Sequence, residues 1–287
     1  MPELPEVETV VRGLNQKAKG LAILRIDHVA RHLLQREPKL RSLKGDMFTS
    51  FHRRGKYIIA KLKSGRKMLM HLRMSGRLLV VSSDFKADKH VHFQATFSKS
   101  NKKLVFRDLR KFGILQFMNG QATEMLERLG VEAPVVTAKQ LFDRMQTSRR
   151  PIKSFLLDQN AIAGIGNIYA DESLHLAGIH PQRLTSSLTY SEAQRLARSI
   201  RIVMKQAITH MGTTFDGFRG VNGDSGKHAR YLRVYHQTGE KCRRCGRTIV
   251  KIKLAGRGTH YCPGCQKCEF RSPPPSRSFP KRQPVGS

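Results

Sequence analysis

The placement of the cysteines constrains this chain more than any other feature. All five lie between Cys242 and Cys268, and the first 241 residues have none. A secreted scaffold braced by disulfides spreads its cysteines along the chain, so that class is excluded. Four of the five fall as Cys242-x2-Cys245, then the 16 residues 246 to 261, then Cys262-x2-Cys265. Two such pairs can present four thiolates tetrahedrally and leave no open position, so the spacing predicts one structural zinc ion, Zn2+. Cys268 fits no ligand slot and reads as a spare thiol.

This finger is crowded with cations: Lys241, Arg243, Arg244, Arg247, Lys251, Lys253 and Arg257. Gly256-Arg257-Gly258 predicts a tight turn holding one arginine at the tip of a hairpin. Without a predicted helix the finger cannot read the major groove in the manner of the classical fingers, which favours phosphate or minor-groove contact. The whole chain shares the bias, with 53 Lys+Arg against 21 Asp+Glu and a net charge of +32 over 287 residues. A polyanion is therefore the first partner to consider. The apolar share of 39%, together with 23 glycines, is that of a globular core and excludes wholesale disorder. The length suits about two domains. No stretch is apolar enough to cross a bilayer, and Glu3, Glu6 and Glu8 stand where an export signal carries basic residues. A soluble cytoplasmic protein with no membrane association is expected.

Leu4, Val7, Val10, Val11 and Leu14 set a three-to-four-residue rhythm behind Pro5, which predicts a helix almost at the terminus. From about Ile23 to Phe117 the pattern changes to short strand-like runs, such as Tyr57 to Leu62 and His92 to Phe97, and predicts a β-sandwich or barrel. Helical signals return near Gln121 to Leu129, and Gly130 to Ala138 reads as a linker. Helices are expected at about 138–145, 152–159, 167–177 and 191–210, the last with Ser191 as N-cap. Residues 160–167, Asn-Ala-Ile-Ala-Gly-Ile-Gly-Asn, form a small-residue double turn of the kind that brings backbone N–H groups to a phosphate. A long mobile loop is expected from Thr213 to Gly226, and a disordered tail follows the finger.

Met1 precedes a small residue, so its removal would leave Pro2 with a free secondary amine. By composition alone Pro2 merely starts a helix. An α-amine is, however, less basic than a lysine amine, and its neutral form is a nucleophile for sugar carbons, with Glu3 beside it as an acid or base.

Seven blocks, in order and spanning nearly the whole chain to about Lys267, resemble the formamidopyrimidine-DNA glycosylase family. They are Met1-Pro-Glu-Leu-Pro-Glu-Val-Glu-Thr9, Arg54-Gly-Lys-Tyr57, His71-Leu-Arg-Met-Ser-Gly76, Asp108-Leu-Arg-Lys-Phe-Gly113, Gly164-Ile-Gly-Asn-Ile-Tyr-Ala-Asp-Glu172, Ala177-Gly-Ile-His-Pro181 and the four-cysteine finger. The resemblance implies an α+β fold: an N-terminal helix plus β-sandwich, then a helix-two-turns-helix domain with a C-terminal four-Cys zinc finger. The implied divisions are 2–130, a linker 131–138, 139–234, a finger 235–269 and a tail 270–287. The implied activity is that of a monomeric bifunctional DNA glycosylase and AP lyase, which removes oxidised purines such as 8-oxoguanine and formamidopyrimidines from damaged double-stranded DNA.

Residue by residue, the resemblance makes Pro2 the nucleophile at C1′ and Glu3 the acid that assists sugar-ring opening. Lys56 matches a lysine linked to β-elimination, and Arg257 a finger-tip arginine linked to phosphate binding and δ-elimination. His90, Arg110, Arg149 and Asn167 match DNA-contacting positions, each of which could otherwise be a solvated charge or a helix cap. Because chemistry on a stacked base requires its extrusion, Met74, Arg110 and Phe112 match the triad that fills the vacated space. Without the resemblance, Met74 and Phe112 read as core residues. Leu109 replaces a proline common in that loop. Two alternatives stand: endonuclease VIII, the sister enzyme for oxidised pyrimidines, and a noncatalytic nucleic-acid-binding zinc protein. Leu4 and the Met74/Arg110/Phe112 combination favour the purine enzyme.

Overall fold

A computed structural model describes residues 1–215 and 218–268. The expected tail 270–287 and residue 269 of the finger lie outside the described residues. Helix α1 (Leu4–Lys17) leads into β1 (Ile23–Val29), α2 (Arg31–Arg36), β2 (Phe48–Arg54), β3 (Tyr57–Leu62), β4 (Lys67–His71), β5 (Gly76–Ser82), β6 (Val91–Phe97), β7 (Lys102–Asp108) and β8 (Ile114–Phe117). The eight strands make two antiparallel four-stranded sheets, ordered β1-β6-β7-β5 and β2-β3-β4-β8. Phe48, Phe51 and Ile58 from one sheet share a core with Phe93, Phe97 and Phe106 from the other, and Val7, Val10 and Leu14 of α1 join them. This is the sandwich, with one departure from the all-β expectation. α2 and a 3-10 turn (Pro38–Leu43) interrupt it, because Leu33, Leu40 and Leu43 are needed inside the same core.

The second lobe holds α3 (Gly120–Glu127), β9 (Val131–Glu132), α4 (Ala138–Gln146), α5 (Ile152–Leu157), β10 (Ile162–Ala163), α6 (Asn167–Ala177) and α7 (Tyr190–Thr209). The segment read as a linker carries β9, which pairs in parallel with β10 of the double turn. The N-cap of α7 is Thr189 rather than Ser191, since Thr189 accepts from the Glu192 N–H while Glu192 accepts in return from the Thr189 N–H. The hairpin β11 (Val250–Leu254) and β12 (Arg257–Tyr261) closes the described chain.

Two features couple the lobes. Leu4, on the sandwich's own helix, is buried in the core of the helical lobe and donates its N–H to the Gly164 carbonyl at 3.1 Å. Glu132 in β9 takes Arg53 at 2.5 Å, Arg54 at 2.9 Å and the Gly55 N–H at 2.5 Å. It thereby grips the β2–β3 hairpin whose two-residue turn is Gly55-Lys56. Arg54 also donates to the Leu129 and Gly130 carbonyls at 2.7 and 2.8 Å. Removing this carboxylate takes one acceptor from each of two largely buried guanidiniums, Arg53 keeping Glu8 and Arg54 its two carbonyls, and leaves the Gly55 N–H without its acceptor. Glu132→Ala is expected to cost about 2 kcal/mol, measured by denaturant unfolding, with Glu132→Gln intermediate. A loss within experimental error would show that the clamp contributes nothing net.

Candidate active site

The site is assembled at the N-terminus of α6. Gly164, with φ +100°, and Gly166 allow the approach: a Cβ on Gly164 would lie 2.4 Å from Leu4 Cδ1, and one on Gly166 2.3 Å from Glu3 Cδ. Into that space comes the Glu3 carboxylate, which accepts the N–H groups of Gly166 at 2.7 Å and Ile168 at 2.9 Å. The double turn therefore presents its N–H groups to a carboxylate of the chain itself, where the sequence reading offered them to a phosphate. Both the partial positive charge of the helix start and the hydrogen bonds favour the ionised form. Burial outweighs them: helped by the like charge of Glu6 and opposed by Lys56, it pushes Glu3 up to about 7. A carboxyl group poised there can give or take a proton at neutral pH.

Glu6 lies one helical turn on and completes the arrangement. It accepts from the Glu3 N–H at 2.8 Å, the Thr213 N–H at 2.6 Å and the Tyr169 hydroxyl at 2.5 Å. Burial raises its own affinity for a proton and raises that of the Tyr169 phenol further. Lys56 is buried, and burial lowers its pKa against the pull of Glu3 and Glu6, with Arg257 adding to the lowering. A neutral amine at Lys56 is thus more accessible than on an ordinary surface lysine.

Pro2, Glu3, Glu6, Met74, Asn167 and Arg257 line one cavity of about 380 Å³. A neighbouring one of about 500 Å³ takes Lys56, Asn167 and Arg257. Met1 lines both. Arg257 opens β12 directly across from Leu254. The turn itself is Ala255-Gly256 with φ +47° and +74°, the two left-handed positions of a tight hairpin. Asn167 ties this hairpin to α6 by donating to the Gly258 carbonyl at 3.0 Å.

The triad is brought together on the sandwich side. Met74 and Phe112 are 50% and 51% exposed, which removes the reading of both as core residues. The Arg110 guanidinium lies 2.9 Å from the Met74 sulfur and 4.9 Å from the Phe112 ring centroid. Buried Asp108 holds the two loops by accepting from Ser75 Oγ at 2.5 Å and from the Arg110 and Gly113 N–H groups at 3.1 and 2.8 Å. His71, kept neutral by burial that pushes it down to about 3, accepts the Arg73 N–H at 2.9 Å just before Met74. His90 adjoins this loop, its carbonyl accepting the Asp108 N–H. Arg149 is not brought to Pro2. It lies with Arg144 and Arg150 around a separate cavity of about 440 Å³.

Lys153 and Asp171 are among the buried groups that the sequence does not single out. Lys153 is 1% exposed and reaches Asp171 at 2.7 Å, Thr259 Oγ1 at 2.8 Å and the Gly258 carbonyl at 2.9 Å. Asp171 also accepts the His260 N–H at 2.9 Å. Together they seat the Arg257 hairpin on the helical lobe. The only signal was a lysine set in an apolar helical stretch, which has many ordinary explanations.

The four expected ligand sulfurs lie within 4.8 Å of one another, with Cys242 to Cys265 at 3.8 Å and Cys245 to Cys262 at 3.3 Å. Zinc–sulfur bonds of about 2.3 Å in a tetrahedron require sulfur separations of roughly 3.8 Å, so the set fits one zinc ion. A Cβ on Gly264 would fall 2.8 Å from Cys245 Sγ, which is why this knuckle needs glycine. Cys268 is exposed and stands outside the cluster.

Taken as a class, this is a two-lobed protein with a zinc finger and a buried acid under its N-terminus. Comparison with known proteins makes the class specific. The formamidopyrimidine-DNA glycosylase N-terminal domain matches residues 1–115, its H2TH domain 129–218, and the zinc finger found in FPG and IleRS 239–267. The formamidopyrimidine-DNA glycosylase of Desulforamulus reducens is 40% identical, over 94% of this chain and 100% of its own length. The Lactococcus lactis Fpg bound to abasic-site DNA superposes with a TM-score of 0.84 at 36% identity, covering 92% of this chain and 99% of that one. MutM in complex with carbocyclic 8-oxo-G containing DNA gives 0.85 at 36% identity, covering 93% and 100%. The chain belongs to the formamidopyrimidine-DNA glycosylase family.

Metal analysis of reduced protein is expected to find one zinc per chain, and chelation should release the finger hairpin and abolish DNA binding while the helical content of α6 and α7 persists. Zinc-free protein that binds DNA normally would contradict this. The Glu3 carboxyl binds its proton more tightly folded than unfolded. Its contribution therefore favours the folded state less as pH rises from about 4.5 to about 7, by about 3 kcal/mol across that window. In Glu3→Gln that part of the pH dependence of unfolding should vanish, and an unchanged slope would remove Glu3 as its source.

Proposed function

We propose that the chain is a bifunctional glycosylase and AP lyase that excises oxidised purines from damaged duplex DNA. The observation that carries the reading is the convergence of Pro2 and Glu3, Lys56 and Arg257 on adjoining cavities from three separate places in the sequence. Once Met1 is removed, the secondary amine of Pro2 attacks C1′ of the damaged nucleotide. The glycosidic bond breaks, its electron pair leaves with the base, and the proton given up by the Pro2 nitrogen neutralises the departing base. Glu3 gives its proton to the ring oxygen O4′ as the sugar opens, which leaves an iminium between Pro2 and C1′. Loss of a C2′ proton then expels the 3′ phosphate, a step for which Lys56 is the neighbouring amine. Arg257 holds the flanking phosphate as a bidentate donor and supports the second elimination.

Met74 and Phe112 enter the space left by the extruded nucleotide, and Arg110 donates to the orphaned partner base. His90, Arg149 and Asn167 add phosphate contacts along the same duplex. Every group in the reading comes from one chain, so a monomer suffices. Among the described residues no helix is long and apolar enough to cross a membrane, and the reading places the enzyme with the chromosome in the cytoplasm. The sandwich within 2–130 and the lobe within 139–234 flank the bound duplex in this reading, bridged by 131–138.

Borohydride reduction in the presence of duplex DNA containing 8-oxoguanine is expected to crosslink protein to DNA through Pro2, because it freezes the iminium. A chain extended by one residue before Pro2 should give no crosslink yet still bind. Normal trapping by the extended chain would refute the amine chemistry, and trapping only on oxidised pyrimidines would favour the endonuclease VIII alternative.

A further inference from the structure

The finger is held to the helical lobe along one face of α6. Asn167, Asp171 and His175 follow one another at four-residue spacing, which places them on a single stripe of that helix. Asn167 donates to the Gly258 carbonyl and Asp171 accepts the His260 N–H, both on the hairpin. His175 reaches the cysteine cluster instead, with its Nε2 3.5 Å from Cys242 Sγ. Its ring is buried, and among the described residues Nδ1 has no hydrogen-bond partner. Burying an imidazole costs more than burying an apolar ring unless a nitrogen is used, and the nitrogen used here is Nε2.

Four thiolates around one divalent zinc ion leave the cluster with net negative charge, which N–H groups aimed at the sulfurs stabilise. Within the finger the Arg247 N–H serves Cys245, and those of Gly264 and Cys265 serve Cys262. Cys242, itself buried, meets a donor from a helix 67 positions earlier. A zinc-bound thiolate can only accept, so Nε2 carries the hydrogen. That is true of the ε-protonated neutral ring and of the imidazolium alike, so the contact does not depend on the charge of His175. We propose that His175 is a positioning residue for the zinc: its Nε2–H donates to the Cys242 thiolate, tightens the hold on the metal and ties the cluster to α6. One helix then carries the Glu3 seat at its start, the Arg257 hairpin along its middle and the zinc cluster near its end. The inference concerns the metal and stands independently of the glycosylase reading.

The test uses the full chain in reduced form. Zinc affinity is measured by competition with a chromophoric chelator. Cobalt is then put in place of zinc at saturating concentration, so that thiolate-to-cobalt charge-transfer bands report on the sulfurs of loaded protein. His175→Phe keeps a planar ring without the donor. Its zinc affinity should fall roughly tenfold, the scale on which such supporting partners act. Its charge-transfer band should move to longer wavelength, because a sulfur relieved of a hydrogen bond gives up electron density more readily. His175→Gln places an N–H near the position of Nε2 and should recover part of both changes. Wild-type affinity or an unmoved band in His175→Phe would overturn the inference. Equal losses in the two variants would overturn it as well, because the ring would then act by packing alone.

Discussion

The structure depends on one carboxylate seated at the start of one helix. Glu3 leaves the sandwich lobe and accepts N–H groups of Gly166 and Ile168 in the helical lobe, more than 160 positions away in sequence. Removing it would leave donors at a buried helix start without acceptors, which costs more than the bonds themselves contribute. The same contact fixes where Pro2 sits, since Pro2 is the next residue along. Position and proton affinity therefore have one cause. The burial that makes the carboxylate an inter-lobe bolt also raises its pKa into the range useful for acid chemistry.

What was legible in the sequence was what local chemistry dictates. The Cys-x2-Cys pairs specify a tetrahedral cluster whatever surrounds them, and the rhythm of Leu4, Val7, Val10 and Leu14 specifies a helix with a buried face. Thr189 and Glu192 form a legible capping box, and Ser191 drew attention only because it is also a good cap type. Met74 and Phe112 mark the limit of periodicity. An apolar residue between strands belongs in a core on average, and only the seven ordered blocks pointed to exposure. The interior polar network was illegible because its partners are remote: Glu132 with Arg53 and Arg54, Lys153 with Asp171, Glu172 with residues 233–235. No pattern within a window of ten or twenty residues encodes such pairs.

Those remote pairs also explain how a chain with a net charge of +32 keeps its shape. Like charges on the surface repel and attract a polyanion, which favours binding and opposes compaction. The few acids in the interior act in the opposite sense, and most of them do so by accepting backbone N–H groups. Asp108 fixes the Met74 and Phe112 loops, Asp171 the Arg257 hairpin, and Glu172 the segment that carries Tyr235 and His236. Each such carboxylate sets the conformation of a segment that carries cationic or aromatic side chains toward the surface. The surface can then be chosen for the phosphate backbone and an extruded base, because the geometry that presents it is set by buried anions.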